Sequence, residues 1–277
     1  MQPGFTCKRE RVTPMKKTIV FLLACILCAA FAVSACAGVA QADIEKLIVG
    51  KWMVAERDGQ PLPTNQKVVT TFESSSRAYI SSSLYSPAAD RITWHNQVEA
   101  GVEITDNKLT LTSHPDEHTT AEHELMITGI DEQELTGIQK GSWKVDGNVV
   151  LSGEAVSERF VRITDDFSQD IIGTWEGRCI SEGSVFDDGQ EHRWEYKADG
   201  TFVYYVKDGG NWAASANTLN DYFVDGSLLC CRWIENGREN REWWEVSIDG
   251  DKMNWTALRE NGDGTTFTAA FEMTKVK

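Results

Sequence analysis

Seven turn signals crowd the last third of this chain and fix what it can become. They are Asp188-Gly189, Asp199-Gly200, Asp208-Gly209-Gly210, Asp225-Gly226, Asn236-Gly237, Asp249-Gly250 and Asn261-Gly262-Asp263-Gly264. Such pairs supply the positive φ angles that tight hairpins need. They cut the region into eight short stretches, near 173–181, 191–198, 201–207, 217–225, 227–235, 239–248, 251–259 and 265–275. Several stretches alternate. Met253, Trp255 and Ala257 share one face, and Phe267, Ala269, Phe271 and Met273 share another. No long amphipathic helix is predicted beyond the first 42 residues. Eight hairpin-linked strands with one apolar face leave open edges, and closing into a barrel removes them.

The same plan is written twice. Ile48-Val49-Gly50-Lys51-Trp52 recurs as Ile171-Ile172-Gly173-Thr174-Trp175, with Asp43 and Asp166 each nine residues before the tryptophan. Either Asp is suited to cap a short helical turn that delivers the chain into its first strand. Asp58-Gly59-Gln60 is echoed by Asp188-Gly189-Gln190, and Ile130-Asp131 with Leu135 by Ile248-Asp249 with Met253. A long period seen only twice indicates duplicated domains and not a solenoid. The expected division is 1–42 as signal segment and tether, 43–165 as a first barrel and 166–277 as a second. A short polar link near Thr164 to Ser168, with few crossing contacts, is expected between them.

The first 42 residues carry an address. Met15-Lys16-Lys17 is a positive start and Thr18 to Val33 is an uncharged run. That run is short for a span and lacks a basic stop-transfer flank, which predicts an export signal. Val33-Ser34-Ala35-Cys36 resembles the lipobox of bacterial lipoproteins, in which the cysteine is lipidated. Cleavage after Ala40-Gln41-Ala42, giving a freely secreted protein, is the alternative. The expected location is the cell envelope, with a lipid at Cys36 as the only membrane attachment. Loss of 1–42 removes five Lys or Arg and one Glu, which takes the formal charge from −15 to −19. So acidic a body excludes a nucleic-acid partner, since phosphate binding needs a basic face. Only Cys179, Cys230 and Cys231 then remain in the body. A bridge from Cys179 could reach at most one of the adjacent pair, because neighbours on a strand point to opposite faces.

With Gly-x-Trp entering the first of eight up-and-down strands, the chain resembles the lipocalin superfamily. It is similar in particular to bacterial lipocalin-like domains, through Gly173-Thr174-Trp175, Asp199-Gly200-Thr201-Phe202, Tyr222-Phe223-Val224-Asp225-Gly226 and the Ile248-Asp249-Gly250 hairpin. The resemblance implies two tandem eight-stranded up-and-down antiparallel barrels, an all-β fold. It also implies that Trp52 and Trp175 plug the closed ends, with an arginine of the last strand against each. Arg162 matches that arginine in the first unit, whereas the second ends Met273-Thr274-Lys275.

Function reads less sharply. An eight-stranded barrel is either filled by side chains or holds one small ligand. Trp194, Tyr196, Phe202, Tyr204, Tyr222, Trp233, Trp244 and Trp255 are the candidate lining of the second barrel, and seven of the ten tryptophans lie in 171–277. A pocket is therefore expected in that half, for a small hydrophobic or aromatic molecule. The alternative is a non-enzymatic interaction or structural protein of the envelope with solid barrels and an unknown protein partner. His114, His118 and His123 stand among Asp116, Glu117 and Glu122, a combination able to hold a metal. Yet the stretch from Ser113 to Glu124 is polar and interrupted by Pro115, and is expected to be a solvated loop. No nucleophile motif or phosphate loop is present, so no enzyme, cofactor or metal centre is expected.

Overall fold

The computed structural model describes residues 39–85, 91–181 and 186–277. The expected export signal and the lipobox-like stretch ending at Cys36 lie outside the described residues. Among the described residues, no helix is long and apolar enough to cross a membrane.

The first unit opens with helix α1 (Gln41–Leu47). Asp43 sits in the first turn of this helix and makes no side-chain cap; the carboxylate there favours the helix dipole instead. Asp166 does cap a turn, its carboxylate accepting the Ser168 N–H at 3.0 Å. After α1 come β1 (Gly50–Arg57), the short β2 (Gln60–Pro61), β3 (Val68–Ser74), β4 (Arg77–Tyr85) and β5 (Thr93–Thr105). Then follow β6 (Lys108–Ser113), β7 (Thr119–Ile130), β8 (Glu134–Val145), β9 (Asn148–Ser152) and β10 (Val156–Ile163). Strand β10 pairs with β1 on one side and with β8 on the other, which closes an eight-stranded antiparallel barrel. β2 and β9 are appendages on β1 and β8.

The second unit runs β11 (Gly173–Cys179), β12 (His192–Tyr196), β13 (Phe202–Asp208), β14 (Asn211–Ala214), β15 (Thr218–Asp225) and β16 (Leu228–Glu235). It ends with β17 (Arg238–Asp249), β18 (Lys252–Glu260) and β19 (Thr266–Lys275). The expected eight strands are all present, and β14 is a ninth. The sheet curls in the order β14-β13-β12-β11-β19-β18-β17-β16-β15. Its edges meet only where Thr201 bridges Asp221 and the Tyr222 N–H reaches Gly200 O at 2.9 Å. The extra strand explains the incomplete closure. β14 occupies the free edge of β13, and its Trp212 lies under Arg193 and Lys207 at 4.6 and 5.3 Å.

Both Gly-x-Trp starts have the same build. Trp52 and Trp175 are fully buried, and each indole N–H donates to the carbonyl four residues earlier, Ile48 or Ile171, at 2.7 Å. The Arg162 guanidinium lies 4.0 Å from the Trp52 ring, and the Lys275 ammonium 4.9 Å from that of Trp175. Lysine thus stands where the first unit has arginine. The glycines have a double cause. Gly50 and Gly173 adopt φ of 128° and 133°, and a Cβ on them would come within 2.5 Å of Arg162 Nη1 and 2.7 Å of Lys275 Cε. The basic side chain crosses the glycine to reach the indole.

The expectation of few contacts between the halves is corrected. Met53, Val69 and Trp94 of the first barrel form one buried cluster with Leu228, Cys230 and Trp243 of the second. The cause is visible in β16, where Leu228, Leu229, Cys230, Cys231 and Arg232 are all buried. One face of that strand looks into its own barrel and the other onto its neighbour, so the alternation of a half-exposed strand disappears. Asp221 holds Arg232 through two hydrogen bonds of 2.8 and 2.7 Å and accepts the Ile92 N–H at 2.8 Å. Lys51 pairs with Asp225 and Lys67 with Glu245, the latter at 2.9 Å. Cys230 and Cys231 are thiols without a disulfide, so neither is bridged to Cys179. They point in opposite directions, one into the inter-barrel cluster and one into the second core.

Candidate functional site

Each barrel encloses a cavity. The tryptophan-rich half has the pocket expected of it, and the first barrel, where none was anticipated, has the larger one, about 400 Å³ against about 280 Å³. Large indoles fill space as readily as they line it; the first barrel has smaller inward residues such as Val54, Leu109, Leu125 and Leu135, and stays roomier.

One wall of the first cavity is polar. Glu158 of β10 is buried and accepts two hydrogen bonds from Arg57 of β1, at 3.0 and 2.7 Å. Burial pushes its carboxyl pKa up, and Arg57 opposes the rise. Gln139 of β8 bridges Glu158 and His123. Its amide donates to the carboxylate and its oxygen accepts from His123 Nδ1 at 3.1 Å, in the orientation that satisfies both neighbours. Nδ1 then carries the proton and Nε2 is left as an acceptor at the cavity wall. Burial lowers the pKa of His123 and favours this neutral form.

His123 was not legible as an inward residue. The stretch read as a solvated loop is a loop only as far as His118; from Thr119 it is strand β7, and His123 lines the cavity. The three histidines therefore do not converge. His118 is exposed and bonds Asp146 at 2.9 Å. Among the described residues, no cluster of three metal-ligating side chains occurs.

The second cavity gathers Trp194, Tyr196, Phe202, Tyr204, Trp233, Trp244 and Trp255, seven of the eight aromatic residues anticipated. Tyr222 is the exception. It is buried behind the wall, edge-on to Tyr196 at 4.8 Å, with its hydroxyl donating to Lys197 O at 2.8 Å. Period-two alternation explains the rest: Trp194 and Tyr196 on β12, Phe202 and Tyr204 on β13, and Cys231 and Trp233 on β16 each share one face. Trp194 and Trp255 lie 4.8 Å apart, and Trp244 and Trp255 5.4 Å apart. Phe271 stands edge-on to Trp194 and Trp244.

Polar groups missed in the sequence complete the second cavity. His192 stacks on Trp194, approaches the Tyr204 hydroxyl at 2.8 Å with Nδ1, and approaches Asp188 at 3.2 Å with Nε2. Burial, together with the charges of Asp188 and Glu235, pushes the Tyr204 pKa up to about 12. Glu242 accepts the Trp244 indole N–H at 3.0 Å, and burial raises its carboxyl pKa against the pull of Arg259. Asp188 lies in a turn and Glu242 in β17, each among many other acids, and His192 opens β12 with no motif around it, so composition alone could not single them out.

No protein-family model matches the chain, and no curated protein matches it. Among solved structures, a transferrin binding protein B mutant from Haemophilus parasuis aligns at 9% identity with a TM-score of 0.25. It covers 79% of this chain and 62% of its own, so the present chain spans about three-fifths of that protein. A DUF3598-family protein of unknown function from Nostoc punctiforme aligns at 12% identity and a TM-score of 0.21, over 86% of this chain and 100% of its own.

Proposed function

We propose that this is an exported, lipocalin-like binding protein whose barrels hold small apolar or aromatic molecules, tethered to the envelope by a lipid on Cys36. The two internal cavities carry the reading. Filled barrels would serve a structural role, but spaces of about 400 and 280 Å³ remain at the centre of these. Small-molecule sites are concave, mostly apolar and furnished with a few convergent polar groups. Both cavities fit that description, the first with Arg57, Glu158, Gln139 and His123, the second with Asp188, His192 and Glu242.

Native mass spectrometry of the purified protein tests this, with titration by the neutral fluorescent probe N-phenyl-1-naphthylamine alongside. A co-purified small molecule, or saturable probe binding, is expected. A protein that carries nothing and does not bind the probe returns the barrels to a structural role.

A further inference from the structure

The second cavity combines two features that seldom coincide by packing alone. Its walls are indole and phenyl faces, and among the described residues the acidic side chains that line it, Asp188, Glu235 and Glu242, are joined by no lining Lys or Arg. Glu242 lies under the influence of Arg259. Among the described residues, neither Asp188 nor Glu235 pairs with a Lys or Arg; the imidazole of His192 is the partner of Asp188. Aromatic faces attract cations through their ring quadrupoles, most strongly where water is excluded. Arg259 already shows this on the same walls, with its guanidinium 4.7 Å from the Trp244 ring and 5.7 Å from that of Phe186. One further observation points to a ligand. Trp255 is 2% exposed, lines the cavity, and its indole N–H has no hydrogen-bond partner. A buried donor of this kind is costly unless something in the cavity accepts from it.

We propose that the second barrel is a receptor for a small organic cation, an amine with an aromatic body that carries a hydrogen-bond acceptor. The ammonium group faces Asp188 and Glu235, the body lies among Trp194, Trp233 and Trp244, and the acceptor takes the Trp255 N–H. The order of groups along the strands fits. His192 and Glu235 lie at the ends of β12 and β16 away from the Trp175 plug, whereas Tyr196 lies at the plug end, paired with Gly173. The carboxylates thus stand toward the open end, where they also raise the local concentration of cations. This inference rests on the reading of the barrels as binding sites.

Three compounds with one phenol body and different heads separate the charge from the ring: tyramine (cationic), tyrosol (neutral) and 4-hydroxyphenylacetate (anionic). Calorimetric titration of the full chain should rank them in that order, with tyramine about fivefold tighter than tyrosol, the scale of a cation–aromatic contact that stays partly in water. The double variant Asp188→Asn/Glu235→Gln alters exposed side chains and is expected to fold. It should remove the preference for tyramine over tyrosol. Equal binding of tyramine and tyrosol, or tighter binding of the acid, overturns the cation assignment while the binding reading stands. Failure of all three, with N-phenyl-1-naphthylamine still bound, also overturns it. Failure of that probe as well removes the binding reading on which it rests.

Discussion

Trp94 is the side chain through which the two barrels hold each other most directly. It belongs to β5 of the first unit, is 8% exposed, and lies 5.0 Å from the Trp243 ring and 5.8 Å from that of Phe223, both in the second. Its indole N–H donates to Asp225 at 2.9 Å. Trp94→Phe keeps most of the ring and loses one hydrogen bond, and should cost about 1 kcal/mol. Trp94→Ala empties the site and should cost about 3–5 kcal/mol, as large-to-small changes at buried aromatics do. In a double-mutant cycle with Trp243→Ala the two changes should be coupled by about 0.5–1.5 kcal/mol, the part specific to an aromatic pair. Urea denaturation, followed by circular dichroism and by tryptophan fluorescence, measures all three. In the parent protein both signals should change together if the interface joins the barrels into one cooperative unit. A loss under about 1 kcal/mol for Trp94→Ala, or a shift confined to one of two resolved transitions, would refute the idea that this cluster binds the halves.

Two further predictions concern the first cavity and the closed ends. Burial holds His123 below the ordinary histidine pKa of about 6.5, so its neutral form contributes stability that is intact above that value and lost as pH falls through the folded-state pKa. The denaturation midpoint of the parent should therefore drop between about pH 7 and 5 more than that of His123→Gln; parallel profiles would mean that the ring is not held neutral. Gly50→Ala and Gly173→Ala each place a Cβ at a φ near 130° and against the basic side chain crossing it, and each should lower stability by about 1–3 kcal/mol. A thermal midpoint unchanged in both variants would show that the glycines are incidental.

The strands were legible because the turn chemistry was local. Asn236-Gly237 and Asp225-Gly226 announce their hairpins within two residues, and the strands flanking them came out where those pairs put them. Trp194, Tyr204 and Trp255 were candidates for the lining as aromatic residues of the second unit, and the alternation of their strands turns them to one inner wall. Tyr222 does not join them: it is on the inner face too, but its hydroxyl reaches Lys197 O and its ring ends behind Tyr196. The interface was missed although the sequence held a clue. Leu228-Leu229-Cys230-Cys231 does not alternate, and an apolar run without alternation signals burial on both faces. The polar wall around Glu158 was out of reach for another reason. Arg57, His123, Gln139 and Glu158 come from four strands, and only the β8–β10–β1 closure brings three of those strands side by side.

The two units agree at one end and differ at the other, and this asymmetry bears on where function lies. At the closed ends the same device recurs down to its hydrogen bonds: Ile carbonyl, indole, glycine and overlying cation, with Arg162 exchanged for Lys275. An exchange of one cation for another over the ring preserves a charge–quadrupole contact, which is what a structural plug requires. Around the cavities the linings differ. At the register position of the Arg57–Glu158 pair, four residues before the overlying cation, the second unit has Cys179 of β11 opposite Phe271 of β19. The aromatic cage of the second has no counterpart among Val54, Leu109 and Leu135 of the first. Packing alone would let two copies of one plan keep similar cores. On the proposed binding role, interiors that diverge in polarity, volume and charge while the plugs stay alike would make two sites for chemically different molecules.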